Sequence, residues 1–296
     1  MTEIVTEIDG RRLTLTNLGK VLYPATGTTK GEVLDYYARV APLLLPELAG
    51  RAVTRIRWPH GVGDINFFEK NAPAGTPGWL RTVTVPTTGS RTASREAGEL
   101  TFPVVDSLPA LMYLVNLASL ELHVHQWRVD ADGRPENPDR LVIDLDPGDG
   151  VGLMQCCEVA LLVRERLGQF GLSTRAVASG SKGLHLYADL NPAEPGQSGD
   201  LDPDQATELA RQLAEQLQAA HPALLTATMT KSRRVGKVFF DWSQNAGSKT
   251  TIAAYSLRGR ERPTVAAPVT WDEVEAGADD VFGLEQFTLS QVLDRV

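Results

Sequence analysis

Asp144, Asp146 and Asp241 are the side chains best placed to do chemistry. Leu141-Val142-Ile143-Asp144-Leu145-Asp146-Pro147 reads as a strand. Val142, Asp144 and Asp146 fall on one face, and Leu141, Ile143 and Leu145 on the other. Two carboxylates at that spacing lie roughly 6–7 Å apart at the backbone, from a rise of about 3.3 Å per residue. The pair suits one divalent cation, or two cations about 3.5–4 Å apart once a third carboxylate joins. Asp241 supplies that third group. It is the lone acid in Val238-Phe239-Phe240-Asp241-Trp242, where a buried charge is costly unless paired or metal-bound. A solvated pair of acids at a strand end is the plainer reading of Asp144 and Asp146, and the apolar run leading into them argues against it.

Other polar clusters admit two readings each. Ser179-Gly180-Ser181-Lys182-Gly183 is a small-residue loop that reads as a phosphate cradle with Lys182 adding charge, or as a plain hairpin turn; its spacing is not that of a Walker loop. Lys20 and Lys30 flank a Thr/Gly-rich loop before a helix, and read as a phosphate clamp at a helix N-terminus or as two solvated lysines. Arg55 and Arg57 share a strand face suited to backbone phosphates or to an acidic partner. Phe67-Phe68 read as a base-stacking platform or as a cap on a small sub-core. His123 and His125 stand two apart, but no cysteine or further histidine motif supports zinc; one histidine touching a phosphate fits better.

The elements that must position these groups follow from periodicity. Strands are expected at Val53–Trp58, Thr82–Val85, Leu100–Val105, Leu120–Trp127, Thr174–Ala178, Leu184–Tyr187 and Val238–Trp242. Helices are expected from near Lys30 behind a Thr28/Thr29 cap, over Leu108–Ala118, Gly152–Phe170 and Asp204–Ala220, and near Ser290–Arg295. Asn191–Asp204, rich in Pro, Gly and acids, is the most linker-like piece. The length suits one large or two small domains.

The net charge of −8 argues mildly against a polyanion partner. Its distribution matters more. Six acids in Asp272–Glu285 meet no Lys or Arg, while bases gather at Arg51–Arg57, Lys231–Lys237 and Arg258–Arg262. No apolar run approaches the ~18 residues of a membrane span, and the N-terminus lacks a signal pattern. The two cysteines, Cys156 and Cys157, are adjacent and offer neither a disulfide framework nor zinc spacing. A cytoplasmic protein is expected.

The motifs together are more specific than any one of them. Asp144-Leu145-Asp146, Ser179-Gly180-Ser181-Lys182-Gly183-Leu184-His185, Asp241-Trp242-Ser243-Gln244-Asn245 and Tyr255-Ser256-Leu257-Arg258-Gly259-Arg260 occur in the order that resembles the polymerase domain of bacterial ligase D. That domain belongs to the archaeo-eukaryotic primase superfamily. Leu22-Tyr23-Pro24-Ala25-Thr26-Gly27-Thr28-Thr29-Lys30 and Phe67-Phe68-Glu69-Lys70 match as well, so the resemblance runs from Leu13 to about Trp271.

The resemblance implies an α/β (α+β) fold, with a primase-type catalytic core of mixed sheets flanked by helices and an N-terminal α/β module. The whole chain, 1–296, is expected to form one primase-polymerase domain, with 1–105 as the module and 106–296 as the core. The implied activity is template-dependent nucleotidyl transfer from NTP or dNTP to a DNA 3′ end, in gap filling and non-homologous end joining, with ribonucleotides preferred. Asp144, Asp146 and Asp241 are carried over as ligands of a two-metal site for Mn²⁺ or Mg²⁺. His123, Ser179, Lys182, Arg234 and Gln244 match nucleotide-contacting positions. Asn17, Lys20 and Lys30 match a pocket for the 5′-phosphate of gapped DNA, and Arg57, Phe67 and Phe68 match template contacts. The implied partners are 5′-phosphorylated or gapped DNA, an end-binding protein and a DNA ligase, with no membrane, in a bacterial nucleoid setting.

Ile56, His125, Asp64–Asn66 and Asn71–Pro77 depart from the family pattern, which bears on template grip rather than on metal chemistry. The departures point toward a free-standing paralogue of the ligase-fused domain. Two rival readings are a non-catalytic DNA-end binding module that recruits a ligase, and a metal-dependent nuclease.

Overall fold

The computed structural model describes residues 3–87, 98–190 and 201–296. The linker-like stretch at 191–204 therefore lies mostly outside the described residues. The chain divides into two compact units: Met1–Glu136 with Ile252–Val265 and Thr288–Val296, and Asn137–Thr251 with Ala266–Phe287.

The first unit opens with a hairpin of Glu3–Ile8 and Arg11–Thr16. Helix α1 (Lys30–Leu48) follows, capped as its sequence predicts. The Thr29 side chain accepts from Glu32 N–H, and the Glu32 carboxylate accepts from Thr29 N–H at 2.7 Å, a reciprocal cap that satisfies two otherwise orphaned donors. Val33, Leu34, Tyr36, Tyr37, Val40 and Leu44 form its buried stripe. The strand Val53–Arg57 pairs with Phe67–Glu69 on one side and with Ser119–Val124 on the other. Because Ser119–Val124 joins this sheet just after α2 (Leu108–Asn116), the unit runs to Glu136, beyond the boundary expected at 105. The strand expected over Leu120–Trp127 is broken: it ends at Val124 and a second begins at Trp127.

The second unit is built on a six-stranded sheet. Its order is Leu225–Thr226, Val238–Asp241, Arg140–Pro147, Leu184–Asp189, Thr174–Ala178, Ala267–Val269. Only the first pair is parallel. One face buries Leu141, Ile143, Leu145, Leu184, Leu186, Val238 and Phe240 against α3 (Leu153–Gly168) and α4 (Pro203–Ala220), through Cys156, Val159, Val163, Ala210 and Leu213. Strand alternation then commits Asp144, Asp146, His185, Tyr187, Phe239 and Asp241 to the opposite face. Helix α5 (Trp271–Asp279) packs close to α3: a Cβ on Gly277 would stand 2.9 Å from Cys157 Sγ.

Candidate active site

Register brings the acids together. Asp144 stands directly opposite Asp241 on one side and opposite His185 on the other. Like charges in that position repel, and the structure answers the repulsion with donors. Gln244 Nε2 donates to Asp144 Oδ2 and to Asp241 Oδ2, both at 3.3 Å. Asp241 Oδ1 also accepts from Ser243 N–H at 3.0 Å and Ser243 Oγ–H at 2.6 Å. His185 Nε2 lies 3.3 Å from Asp144 Oδ1. Packing around its inner side, then the Asp144 charge, and more weakly Asp241, push the Asp146 carboxyl up to about 6. A carboxylate so disfavoured in its charged form is one that a cation would relieve.

The donor set fits a hard divalent cation. Three carboxylates share one face, with His185 Nε2 beside Asp144. Among the described residues no three acidic, histidine or cysteine side chains are gathered into a ready-made ligand cluster. In the present side-chain arrangement the Gln244 amide stands between two of the acids, so binding requires that amide to move aside.

Glycines fix the backbone around these acids. A Cβ on Gly183 would stand 1.9 Å from the Leu145 carbonyl oxygen, and one on Gly148 would stand 1.9 Å from that of Arg234. The Ser179–Gly183 loop is more closed than its composition suggests. Ser179 Oγ accepts from Ser181 N–H and Gly183 N–H, both at 3.2 Å, and Gln286 Oε1 accepts from Gly180 N–H at 2.7 Å. Three amides expected to face an anion are thus turned inward, and Lys182 is left exposed as the loop's charge. Arg234 lies over the Phe239 ring at 3.4 Å and donates through Nη2 to the Met229 carbonyl at 2.6 Å.

In the first unit, His123 Nε2 donates to Glu121 Oε2 at 2.8 Å. Asn17, Lys20 and Lys30 come together at the start of α1. Lys30 N–H donates to the Lys20 carbonyl at 2.7 Å, and Lys20 N–H to that of Asn17 at 2.9 Å. Lys30 is buried; its Nζ donates to the Thr16 carbonyl at 2.6 Å and to Thr16 Oγ1 at 3.1 Å. No carboxylate among the described residues pairs with it. Burial, with the Lys20 charge, lowers its ammonium pKa to about 8. Arg57 is held by Glu69 at 2.7 Å and by the Leu117 carbonyl at 2.7 Å, and Arg55 pairs with the same Glu69. Of the two readings of that arginine face, the structure supplies the acidic partner. Phe67 and Phe68 are 46% and 47% exposed on an edge strand, so neither caps a sub-core.

Sequence reasoning named His185, Glu121 and Asn245 without giving any of them a role, and passed over Gln286. Register alone puts His185 beside Asp144. Asn245 matters because its side chain pairs with both Val142 N–H at 2.8 Å and the Val142 carbonyl at 2.7 Å, replacing a strand neighbour next to the acids.

The family model described as LigD, primase-polymerase domain, matches residues 29–296. The chain belongs to the LigD primase-polymerase domain family. It is 50% identical over 291 residues to the multifunctional non-homologous end joining protein LigD of Mycobacterium bovis, covering 97% of this chain and 36% of that protein. It is 31% identical over 285 residues to the bifunctional LigD of Bacillus subtilis, covering 96% of this chain and 42% of the relative. The chain thus spans less than half the length of these relatives. The polymerase domain of Mycobacterium tuberculosis ligase D, solved in complex with DNA, superposes with a TM-score of 0.86 at 50% identity, covering 96% of this chain and 94% of that one. The mixed α/β architecture is that of the LigD polymerase domain. No helix among the described residues is long and apolar enough to cross a membrane.

Proposed function

We propose that this LigD-type domain is a nucleotidyltransferase. It extends a DNA 3′ end from a nucleoside triphosphate, forming a phosphodiester bond and releasing pyrophosphate. The observation that carries the reading is the Asp144–Asp241 pairing with Asp146 two residues on, all on one sheet face. Asp144, Asp146 and Asp241 would hold divalent cations, Mn²⁺ or Mg²⁺. Bound there, such cations would supply activation of the 3′-hydroxyl and neutralisation of the leaving pyrophosphate. The protein's own groups prepare for this. Gln244 keeps Asp144 and Asp241 close and, once released from them, has an amide to offer the nucleotide. Lys182 and Arg234 supply positive charge toward phosphates, and the Gly183 contact holds the loop against the Asp144 strand. Ser179 ties that loop, and the family resemblance assigns it and His123 to the nucleotide.

The Asn17–Lys20–Lys30 cluster is proposed as the pocket for the 5′-phosphate of a gap. Two lysines beside a helix N-terminus, one buried and, among the described residues, without an acidic partner, form a site that an anion would stabilise. The exposed Phe67 and Phe68 are proposed to stack on template bases. Arg57 reaches the template only by leaving Glu69 or by sharing it. End joining with ribonucleotides preferred, manganese as the favoured metal, and an end-binding protein and a DNA ligase as partners follow from the resemblance.

Extension across a short gap with Mn²⁺, comparing ribo- with deoxynucleotides and phosphorylated with unphosphorylated downstream strands, tests the reading. Ribonucleotide-favoured extension stimulated by the 5′-phosphate supports it. Phosphate-dependent binding without extension under either metal would leave a DNA-end binding module.

A further inference from the structure

Glu121 is a buried carboxylate that the proposed chemistry does not use. It sits 5% exposed on the strand Ser119–Val124, two residues before His123, and three donors converge on it. His123 Nε2 donates to Oε2 at 2.8 Å, Arg258 Nη1 donates to Oε2 at 3.3 Å, and Gly259 N–H donates to Oε1 at 2.9 Å. Burial works against its charge, but the His123 hydrogen bond and the Arg258 guanidinium outweigh it and hold the carboxyl down at about 2. It is an anion at any working pH.

The turn on its other side is clamped with unusual completeness. Tyr255 takes a positive φ of 67°, which L residues adopt only when their surroundings enforce it. Tyr36 OH donates to the Tyr255 carbonyl at 2.8 Å, and Tyr23 OH to the Arg258 carbonyl at 2.9 Å. Leu257 N–H donates to Tyr37 OH at 2.9 Å, and Tyr37 OH donates to the Leu120 carbonyl at 2.5 Å. Gly259 lies so close to Trp58 that a Cβ would stand 2.1 Å from the indole. Glu121 is the member of this network that ties the rigid turn to His123.

We propose that Glu121 is a positioning residue for nucleotide binding: by engaging His123 Nε2 and the Arg258–Gly259 turn together, it presents the Nδ1 edge of His123 to the phosphates of the incoming nucleotide. This rests on the assignment of His123 to the nucleotide, and it adds which ring atom makes the contact and what fixes it. With Nε2–H committed to a carboxylate, Nδ1 meets a phosphate oxygen only as Nδ1–H, so the ring that binds the nucleotide carries both protons, one toward Glu121 and one toward the phosphate, and the carboxylate partner sets its orientation.

The test uses the whole chain with Mn²⁺ and an NTP. Binding of the nucleotide and of gapped DNA is measured for wild type, Glu121→Gln, His123→Ala and the double variant, with ¹⁵N spectra of the histidine rings. Glu121→Gln is expected to weaken nucleotide binding about tenfold, the size of one hydrogen bond to a charged group, while gapped-DNA binding stays within twofold. It should add nothing to the loss from His123→Ala, since residues acting through one contact are not additive. In the nucleotide complex formed with diamagnetic Mg²⁺, the His123 signals should move from a doubly protonated ring to a mixture of forms. Glu121→Asp, which keeps the charge, should recover part of the affinity and serves if the glutamine variant does not fold. Unchanged nucleotide affinity or an unchanged His123 spectrum in Glu121→Gln overturns the proposal, as do additive losses in the double variant. Nucleotide binding untouched by His123→Ala is a different result: it removes the assignment of His123, and the proposal with it.

Discussion

Asp144 and Asp241 face each other across two antiparallel strands with one glutamine amide hydrogen-bonded to both. In a fold selected for stability alone, two acids would not occupy a directly opposed pair. On the proposed function, the arrangement gains its sense from a cation that would replace the amide.

Replacing one of these charges should therefore separate stability from activity. Asp144→Asn keeps the shape and removes the repulsion. In metal-free buffer at neutral pH it is expected to raise Tm by about 1–3 °C, from the 0.2–1 kcal/mol of an opposed like-charge pair, while abolishing extension. Thermal melts with and without Mn²⁺ check this. Mn²⁺ should stabilise wild type and not the variant, because a ligand that binds only the native state raises its stability. A lowered metal-free Tm would contradict it.

Gly183 is a position where a single methyl should be decisive. Its added Cβ would stand 1.9 Å from a backbone carbonyl of the Asp144 strand, an atom that cannot step aside. Gly183→Ala is expected to cost at least about 2 kcal/mol by denaturant unfolding and to depress extension. Gly19→Ala, where a Cβ meets nothing within 4 Å, is the control.

Some of this was legible in the sequence, and the limits have physical causes. The alternation in Leu141–Pro147 placed Asp144 and Asp146 on one face, because a strand's period is fixed by its covalent geometry. The lone acid of Val238–Trp242 marked Asp241 for a different reason, the cost of a charge placed among apolar residues without a partner. Nothing local reveals that Asp144 is opposite His185, since register is decided by which strands pair. The helix caps at Thr29 and the apolar stripe of α1 were readable, whereas the break at Val124 was not. There, burial of His125 between Phe102 and Trp127 overrides the alternating pattern. The Ser179–Gly183 loop was recognised by composition, but the Gly180 amide and the Gly183 carbonyl are held by Gln286, about a hundred residues away.

If the proposed pocket binds the 5′-phosphate, Lys30 gives that recognition a pH signature. Its ammonium loses its proton near pH 8, below the ~10.4 of an unfolded chain. Wild-type affinity for a 5′-phosphorylated gap should therefore fall between pH 7 and about 9. Between those two pKa values the unfolded chain binds more protons, so stability contributed at this site rises with pH. Lys30→Met should weaken phosphate-dependent binding at pH 7 about tenfold or more and flatten the pH profile. Fluorescence anisotropy with matched phosphorylated and unphosphorylated gaps is the measurement, and unchanged phosphate preference in the variant would remove this pocket.

His125 predicts a second pH effect, on stability alone. Burial, opposed by a hydrogen bond with the Ala52 carbonyl and reinforced by the Lys70 and Arg51 charges, lowers its pKa to about 4. Unfolded, the ring takes a proton near pH 6.5. Stability should then decline as pH falls from about 6.5 to 4, where the unfolded state holds the extra proton. His125→Phe should reduce that slope in urea unfolding, and an unchanged slope would show that other groups set it.

The most direct test of the account is the length of a labelled primer at a short gap, incubated with NTPs and Mn²⁺, for wild type and Asp144→Asn. A product longer than the primer in wild type and an unaltered primer in the variant is the expected result. A shortened primer would make the paired aspartates a nuclease site. An unaltered primer in both, with gapped DNA still bound, would mean that these carboxylates do not catalyse nucleotidyl transfer.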